Sequence, residues 1–344
     1  MPDRYDLVTL GRSSLDLYSL DIGARFEDIT RFAAYVGGSP TNIAVGARRL
    51  GLGVALVTAV GDDPVGRFIV AFLEREGVET AFIPVKPGHP SSAVVLGIER
   101  DAFPIQFYRE NCADKFITID DVRAVPWDRV RAFELSGTAL AAEPCRSAAL
   151  HAVELASKGG ATLFLDLDFR ANQWPDPRAY GVNIRPLLSR VGVVIGTEEE
   201  IKAALLEDAS QLEIENAQIT APTIQGSLPE IIHTLMHDLG VKALVVKRGP
   251  DGCDVHTLEG RTRVPGFKVE VQNVLGAGDA FAAGLIYGRL SGWDWFRSAR
   301  LGNACGALLV TQHGCANFAP TLEEAERLIS SQGGYGSETD HNAG

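Results

Sequence analysis

The stretch at 269–290, VEVQNVLGAGDAFAAGLIYGRL, decides how the rest of the chain is read. A β-like run at 267–271 enters it, and a helical run at 280–290 leaves it. Gly276, Ala277, Gly278 and Asp279 lie between. Glycines at a strand-to-helix junction take backbone angles closed to other residues and let N–H groups approach a ligand. The first helical turn adds unpaired N–H groups and a partial positive charge. Together these form an anion site, and phosphate is the usual anion. Asp279 would repel phosphate, so binding alone does not account for it. A general base that takes the proton of an attacking hydroxyl does. The plain alternative is a tight turn followed by an acid that complements the helix dipole. The remaining motifs decide between the two.

Composition removes several classes of function. The chain has 344 residues and a formal net charge of −12, which argues against a nucleic-acid or anionic-membrane partner. Its hydrophobic fraction of 46% allows a large core. The opening MPDRYDLVTLG runs directly into a strand-like segment with no apolar signal core. No apolar stretch nears the roughly 20 residues that span a bilayer. The expectation is a cytosolic protein. Cys112, Cys145, Cys253, Cys305 and Cys315 are scattered and form no C-x-x-C pair, so reduced structural thiols are expected. His233 and His237 share one helical face, opposite the apolar Ile231, Ile232, Leu235, Met236 and Leu239, and read as solvent-facing.

Along the chain, 5–11 reads as a first strand, 41–50 as a helix stopped by Gly51, and 54–60 as a strand. A helix at 68–76 follows. The strand-like runs at 83–85, 93–99 and 105–109 have no helices between them, so they read as antiparallel. From 133 onward strands and helices alternate. Strands at 133–136, Thr162–Asp166, 191–195 and Ala243–Lys247 are separated by helices at 145–157, from near Glu198, and at 229–239. That alternation predicts a parallel sheet covered by helices, with the ligand crevice at the strand C-termini. The polar stretch 208–226 reads as a long surface loop, and 331–344 as a disordered tail.

No G-x-x-x-x-G-K-[ST] loop occurs, and no G-x-G-x-x-G follows the first strand. Both the Walker and the Rossmann phosphate sites are thus disfavoured. A second constellation is Gly37-Gly38-Ser39-Pro40-Thr41-Asn42. Two glycines before a helix start allow a small polar ligand close approach, and the Asn42 amide both donates and accepts, which suits a sugar hydroxyl. A helix cap at Thr41 or Asn42 is the simpler account of the same residues.

The GGSPTN-type and GAGD-type motifs at this separation resemble the ribokinase-like (PfkB) carbohydrate kinase family over about 5–320. The resemblance implies an α/β fold, a three-layer α/β/α sandwich with a small β-sheet lid. It implies one kinase domain over 1–330, its lid drawn from parts of 12–36 and 83–112. The implied activity is transfer of the γ-phosphoryl group of ATP to a sugar hydroxyl. By this resemblance Asp279 is the base, and Gly276, Ala277 and Gly278 supply the N–H groups that stabilise the transferring phosphoryl.

Other matches follow by the same resemblance. Lys247, Gly249 and Gly252 look like the nucleotide segment K-x-G-x-x-G, and Asn303 like the adenine-side wall. Thr197-Glu198-Glu199-Glu200 matches the N-x-x-E motif, with Thr197 replacing Asn and Glu200 expected to organise Mg2+ through water. Asn273-Val274 stands where many members have Asp-Thr, so a monovalent cation such as K+ is expected there, with weaker activation. Asp16, Gly37, Gly38 and Asn42 face the sugar. Arg109 and Arg170 suit a carboxylate better than a neutral hexose, because Arg grips carboxylates bidentately. These segments resemble kinases of keto-deoxy sugar acids. Ion pairs of Arg109 and Arg170 with Asp114 or Asp168 are the competing account. The alternatives are a 2-keto-3-deoxygluconate kinase, a fructokinase or nucleoside kinase, and a sugar-sensing binding protein without chemistry. The expected partners are a sugar acid and ATP, with a homodimer through the lid.

Overall fold

Runs such as Tyr5–Leu10 (YDLVTL), Val54–Val57 (VALV) and Ala243–Lys247 (ALVVK) are almost continuously apolar, the pattern of strands covered on both faces. A computed structural model of the chain describes residues 4–99, 102–214 and 222–336. In it these runs belong to one eight-stranded sheet. Its order from edge to edge is Gly260–Val264, Cys253–Thr257, Ala243–Lys247, Val193–Thr197, Thr162–Asp166, Val130–Ser136, Tyr5–Leu10, Val54–Val57. From Ala243–Lys247 to Val54–Val57 every pairing is parallel, and the strand pair at the other edge is an antiparallel hairpin. Register sets Ser136 beside Asp166 and Thr197 beside Lys247, so four polar residues arrive at the C-terminal edge together.

Alternating side chains feed two cores. Val8, Phe133, Leu165 and Val246 pack with the helices Cys145–Lys158 and Arg178–Leu188 on one face. Leu7, Phe164, Ile195 and Val245 pack with Ser39–Arg49, Ala277–Leu290 and Trp295–Leu309 on the other. The result is three layers, α/β/α. Above the C-terminal edge a four-stranded sheet runs Phe32–Gly37, Ser14–Ser19, Ser92–Leu96, Ile105–Tyr108. This smaller sheet is termed the lid below.

Several expectations are corrected. The run at 267–271 is not a strand: Pro265-Gly266 ends the strand Gly260–Val264, and the chain then crosses to the end of Trp295–Leu309, where the Gln272 and Asn273 N–H groups donate to the Val310 carbonyl at 2.8 and 3.1 Å. The run at 83–85 forms only an isolated bridge, Val85 beside Val60, and stays outside the lid. Within the lid Ser92–Leu96 pairs antiparallel with Ile105–Tyr108 but parallel with Ser14–Ser19. In the expected loop at 208–226, Leu212–Glu213 and Thr223–Ile224 pair as a short antiparallel ribbon, while 215–221 lie outside the described residues. Of the expected tail, 337–344 lie outside them too. His233 and His237 are exposed, and all five cysteines are buried and free. Among the described residues no helix is long and apolar enough to cross a membrane.

Candidate active site

The site grows from the start of the helix Ala277–Leu290. Gly276 caps it with φ 79°, in the left-handed region, and a β-carbon there would lie 2.7 Å from Cys315 Sγ. Only glycine fits both constraints. Asp279 follows in the first turn. Facing it is the start of the helix Ser39–Arg49, where the Asn42 amide Nδ2 donates to Asp279 Oδ2 at 2.6 Å. Gly38 caps this second helix, and Gly37 ends a lid strand against Asp16. A β-carbon on Gly37 would fall 1.9 Å from Asp16 Oδ2, so glycine is what lets the lid acid sit there. The Ser14 hydroxyl donates to Asp16 Oδ1 at 2.6 Å.

The sheet edge supplies the charges beneath. Lys247 ends its strand, with Nζ 3.2 Å from Asp166 Oδ1 and 3.5 Å from Glu200 Oε2. The same ammonium is 3.0 Å from the position a β-carbon of Gly278 would take, so the GAGD loop lies against it. Ser39 Oγ donates to Asp166 Oδ2 at 3.3 Å. Thr197 and Glu200 form a capping box: Glu200 N–H donates to Thr197 Oγ1 at 3.3 Å, and Thr197 N–H donates to Glu200 Oε2 at 2.7 Å. Thr197 thus caps the helix that carries Glu200. Asp168 has φ 36°, rare for a residue with a β-carbon, and its Oδ2 accepts from Ser136 and Thr138 at 3.0 and 3.2 Å.

Gly249 and Gly252 form the turn after Lys247. Asn303 Nδ2 donates to the Val264 and Pro265 carbonyls at 3.1 and 3.0 Å, against the same end of the hairpin. Asn273 is buried, and its Oδ1 accepts from Leu275 N–H at 3.0 Å.

Arg109 and Arg170 are each engaged by acids of the protein itself. Arg109 is buried in an ion pair with Asp114, donates from Nη1 to Gln173 Oε1 at 2.9 Å, and donates from Nε to Ser92 Oγ at 3.2 Å. Arg170 lies 2.8 Å from Asp168 Oδ1 and 3.7 Å from Glu200 Oε1. Sequence reasoning passed over Arg12, although a charged residue directly after Gly11 at a strand end is a readable signal. Its Nε and Nη1 are buried with no hydrogen-bond partner among the described residues.

Burial raises the pKa of Asp16, Asp166 and Asp279. It pushes Asp16 up to about 6, with Arg12 and Ser14 opposing and Asp279 adding to the rise. Asp166 goes to about 7, through burial against the pull of Lys247, with Glu200 and Asp168 adding. Asp279 is raised by desolvation and Asp168, and held back by Asn42, Ser39 and Lys247. Lys247 is raised, because Asp166 and Glu200 outweigh its own burial. The crevice thus combines an acid able to take a proton, an N–H-lined loop, a fixed ammonium and a lid carrying hydrogen-bonding groups. That set serves transfer of a phosphoryl group to a hydroxyl.

Comparison with known proteins agrees with this chemistry. The model of the pfkB family of carbohydrate kinases matches residues 6–322. The chain belongs to that family and is an ATP-dependent carbohydrate kinase. It is 33% identical over 332 residues to the 5-dehydro-2-deoxygluconokinase of Shouchella clausii, covering 96% of this chain and 97% of that protein. It is 30% identical over 335 residues to the enzyme of the same name from Clostridium perfringens, covering 96% and 94%. Among solved structures, the fructokinase of Vibrio cholerae with fructose, ADP and a potassium ion bound superposes with TM-score 0.79 at 25% identity, over 95% of this chain and 99% of that one. The ATP-bound fructokinase of Xylella fastidiosa gives 0.80 at 23% identity, over 95% and 98%.

Proposed function

We propose that the chain phosphorylates 5-dehydro-2-deoxy-D-gluconate on its 6-hydroxyl, a step of myo-inositol catabolism. The observation that carries the reading is the contact of Asn42 with Asp279 directly beside the GAGD loop and Lys247. The 6-hydroxyl oxygen attacks the γ-phosphorus of ATP, and the bond from that phosphorus to the β–γ bridging oxygen breaks. Asp279 takes the hydroxyl proton, and ADP leaves with the bond pair. Asn42 fixes the Asp279 carboxylate so that its free oxygen faces the hydroxyl. N–H groups of Gly276, Ala277 and Gly278, at a helix start, receive the charge that builds on the phosphoryl oxygens. The Lys247 ammonium adds a full charge next to them.

The acids present fit one magnesium ion held mainly by phosphate oxygens and water. Glu200 is engaged by Thr197, Lys247 and Arg170, and no group of three or more acids, histidines or cysteines is spaced to cage a metal among the described residues. Glu200 would hold such an ion through water, and the ion would neutralise charge on the β- and γ-phosphates. The main-chain carbonyl of Asn273 would serve a potassium ion behind the loop. Gly249, Gly252 and Asn303 would border the adenine. Asp16 and Asn42 would bind sugar hydroxyls, and Arg109 and Arg170 would supply positive charge on the sugar side.

The names of the relatives and the basic groups under the lid support the choice of a sugar acid. The test is ADP release with Mg-ATP against 5-dehydro-2-deoxygluconate, 2-keto-3-deoxygluconate, fructose, ribose and adenosine. At least a tenfold higher kcat/KM for the first is expected. Preference for a neutral sugar or adenosine would refute the sugar-acid choice. Sugar binding with no turnover on any of the five would refute the kinase reading as well.

A further inference from the structure

We propose that Arg12 is the residue that binds the carboxylate of the substrate, with Arg109 and Arg170 acting through the field around it. The proposal rests on the sugar-acid reading above and assigns a residue within it.

A guanidinium carries five N–H donors and stays charged, so leaving it buried and unpaired is costly. The arginines near the lid differ sharply in this respect. Arg109 spends its donors on Asp114, Gln173 and Ser92. Arg170 spends its own on Asp168, Glu200 and the Phe169 carbonyl. Arg12 has no acid within ion-pair distance among the described residues, and its Nε and Nη1 are buried without a partner. Its guanidinium carbon lies 5.4 Å from the centre of the Phe107 ring of the lid, and Asp168 and Asp16 act on its charge without forming an ion pair with it.

Its backbone is nonetheless fixed. The Thr41 hydroxyl donates to the Arg12 carbonyl at 3.0 Å, and a β-carbon on Gly38 would lie 2.3 Å from that carbonyl oxygen. Arg12 is therefore anchored at the turn that also presents Asn42, the partner of Asp279. It lines a cleft between the sheet edge and the lid, together with Arg109, Lys115, Thr138 and Gln173. Asp114 is the one acid in that lining, and Arg109 already neutralises it. The cleft is thus basic overall, with unspent donors at Arg12. A carboxylate supplies a charged acceptor for such donors.

The test uses Arg12→Gln, Arg12→Lys, Arg109→Gln and Arg170→Gln with the full-length protein. The substrates are 5-dehydro-2-deoxygluconate and its neutral counterpart, in which CH2OH replaces the carboxylate. Arg12→Gln is expected to raise KM for the acid about 10- to 100-fold and to lower the preference for acid over neutral sugar by the same factor. KM for Mg-ATP should stay within about threefold, and Arg12→Lys should recover part of the preference. The melting temperature of Arg12→Gln should stay level or rise, because an unpaired buried charge is removed. A purely structural arginine would give the opposite, a lower melting temperature with equal losses on both sugars, and that result would overturn the proposal. An unchanged preference in Arg12→Gln, with a loss in Arg109→Gln or Arg170→Gln, would overturn it while leaving the sugar-acid reading intact. A wild-type enzyme that does not prefer the acid would overturn both.

Discussion

Replacing Asp279 by Asn separates the proton acceptor from its geometry. Asn keeps the size of the side chain and an amide oxygen able to accept from Asn42 Nδ2, now 2.6 Å from Oδ2. What it removes is the ability to hold a proton. A positioned general base contributes about 10²- to 10⁴-fold, or about 3–5.5 kcal/mol at about 1.4 kcal/mol per decade. The upper half of that range is expected, because this hydroxyl has no second base at hand: Asp166 is engaged by Lys247 and Ser39. So kcat should fall about 10³- to 10⁴-fold. Sugar binding by calorimetry should weaken less than tenfold. Stability should move the other way. Desolvation and Asp168 raise the Asp279 pKa above its unfolded value of 3.8. The wild type is therefore most favoured below that value and loses the contribution as pH rises through the folded one. Asp279→Asn escapes the loss, so its melting temperature should equal or exceed the wild type's at pH 7 and converge with it towards pH 4. Retention of kcat within tenfold, in a variant that binds both substrates, would refute the base assignment. A variant that melts early and binds neither substrate would show a structural role instead.

Other substitutions probe different parts of the argument. Lys247→Met leaves Asp166 and Glu200 without the cation that lies 3.2 and 3.5 Å from them; KM for Mg-ATP should rise about 10- to 100-fold with sugar KM little changed, and an unaltered ATP KM in initial-rate assays would count against contact with the phosphates. Gly276→Ala forces a β-carbon into a backbone at φ 79° and to 2.7 Å from Cys315 Sγ; it should destabilise by about 1–3 kcal/mol in denaturant titrations and lower kcat at least tenfold, whereas a silent change would mean the loop is not held in this shape. Glu134 is fully buried in the strand Val130–Ser136, neither of its oxygens has a hydrogen-bond partner among the described residues, and burial raises its pKa well above 4.5. Glu134→Gln should gain stability on the wild type by about 1.4 kcal/mol per pH unit above the unfolded value until the folded pKa is reached, and parallel pH–stability curves would refute a neutral Glu134.

What the sequence disclosed was local. Gly276 to Asp279 and Gly37 to Asn42 announce helix starts, because glycine and capping chemistry act within a few residues. Parallel strands announce themselves as apolar runs, so Thr162–Asp166 and Ala243–Lys247 were legible to the residue. The hairpin Cys253–Thr257 with Gly260–Val264 was not. Its residues include Asp254, Arg261 and Arg263, and at a sheet edge such polar residues pair with one another. The 267–271 run misled because Phe267 is buried against the Arg300 guanidinium, 3.8 Å away, in an irregular segment. In the site, residue types could be read, and so could the ion pairs of Arg109 and Arg170 with the nearby Asp114 and Asp168, but not the partners further along the chain. Arg109 meets Gln173 and Arg170 meets Glu200 across long separations that no spacing rule covers. Two arginines therefore looked available for a carboxylate when both are engaged, and Arg12 was passed over.

That pairing pattern explains how a resting site can be both stable and reactive. Asp166 and Glu200 lean on Lys247, Asp168 on Arg170, and Asp114 on Arg109. These pairs offset the desolvation that would otherwise expel the charges or neutralise them. Asp279 and Arg12 have no ion-pair partner among the described residues: the first accepts from the neutral Asn42 amide, and the second meets the Phe107 ring, with Asp168 and Asp16 acting on it without forming an ion pair. A fold selected for stability alone would have paired them with each other or lost them. They are instead kept apart, Asp279 under the phosphate loop and Arg12 at the basic cleft below the lid. Each lacks what one end of a hydroxy acid supplies, a proton for the carboxylate and a carboxylate for the guanidinium. A substrate that bridged them would complete both groups at once, and its hydroxyl would reach the base only when its acid end was in place. Length between the two groups would then select among sugar acids, and charge would select against neutral sugars.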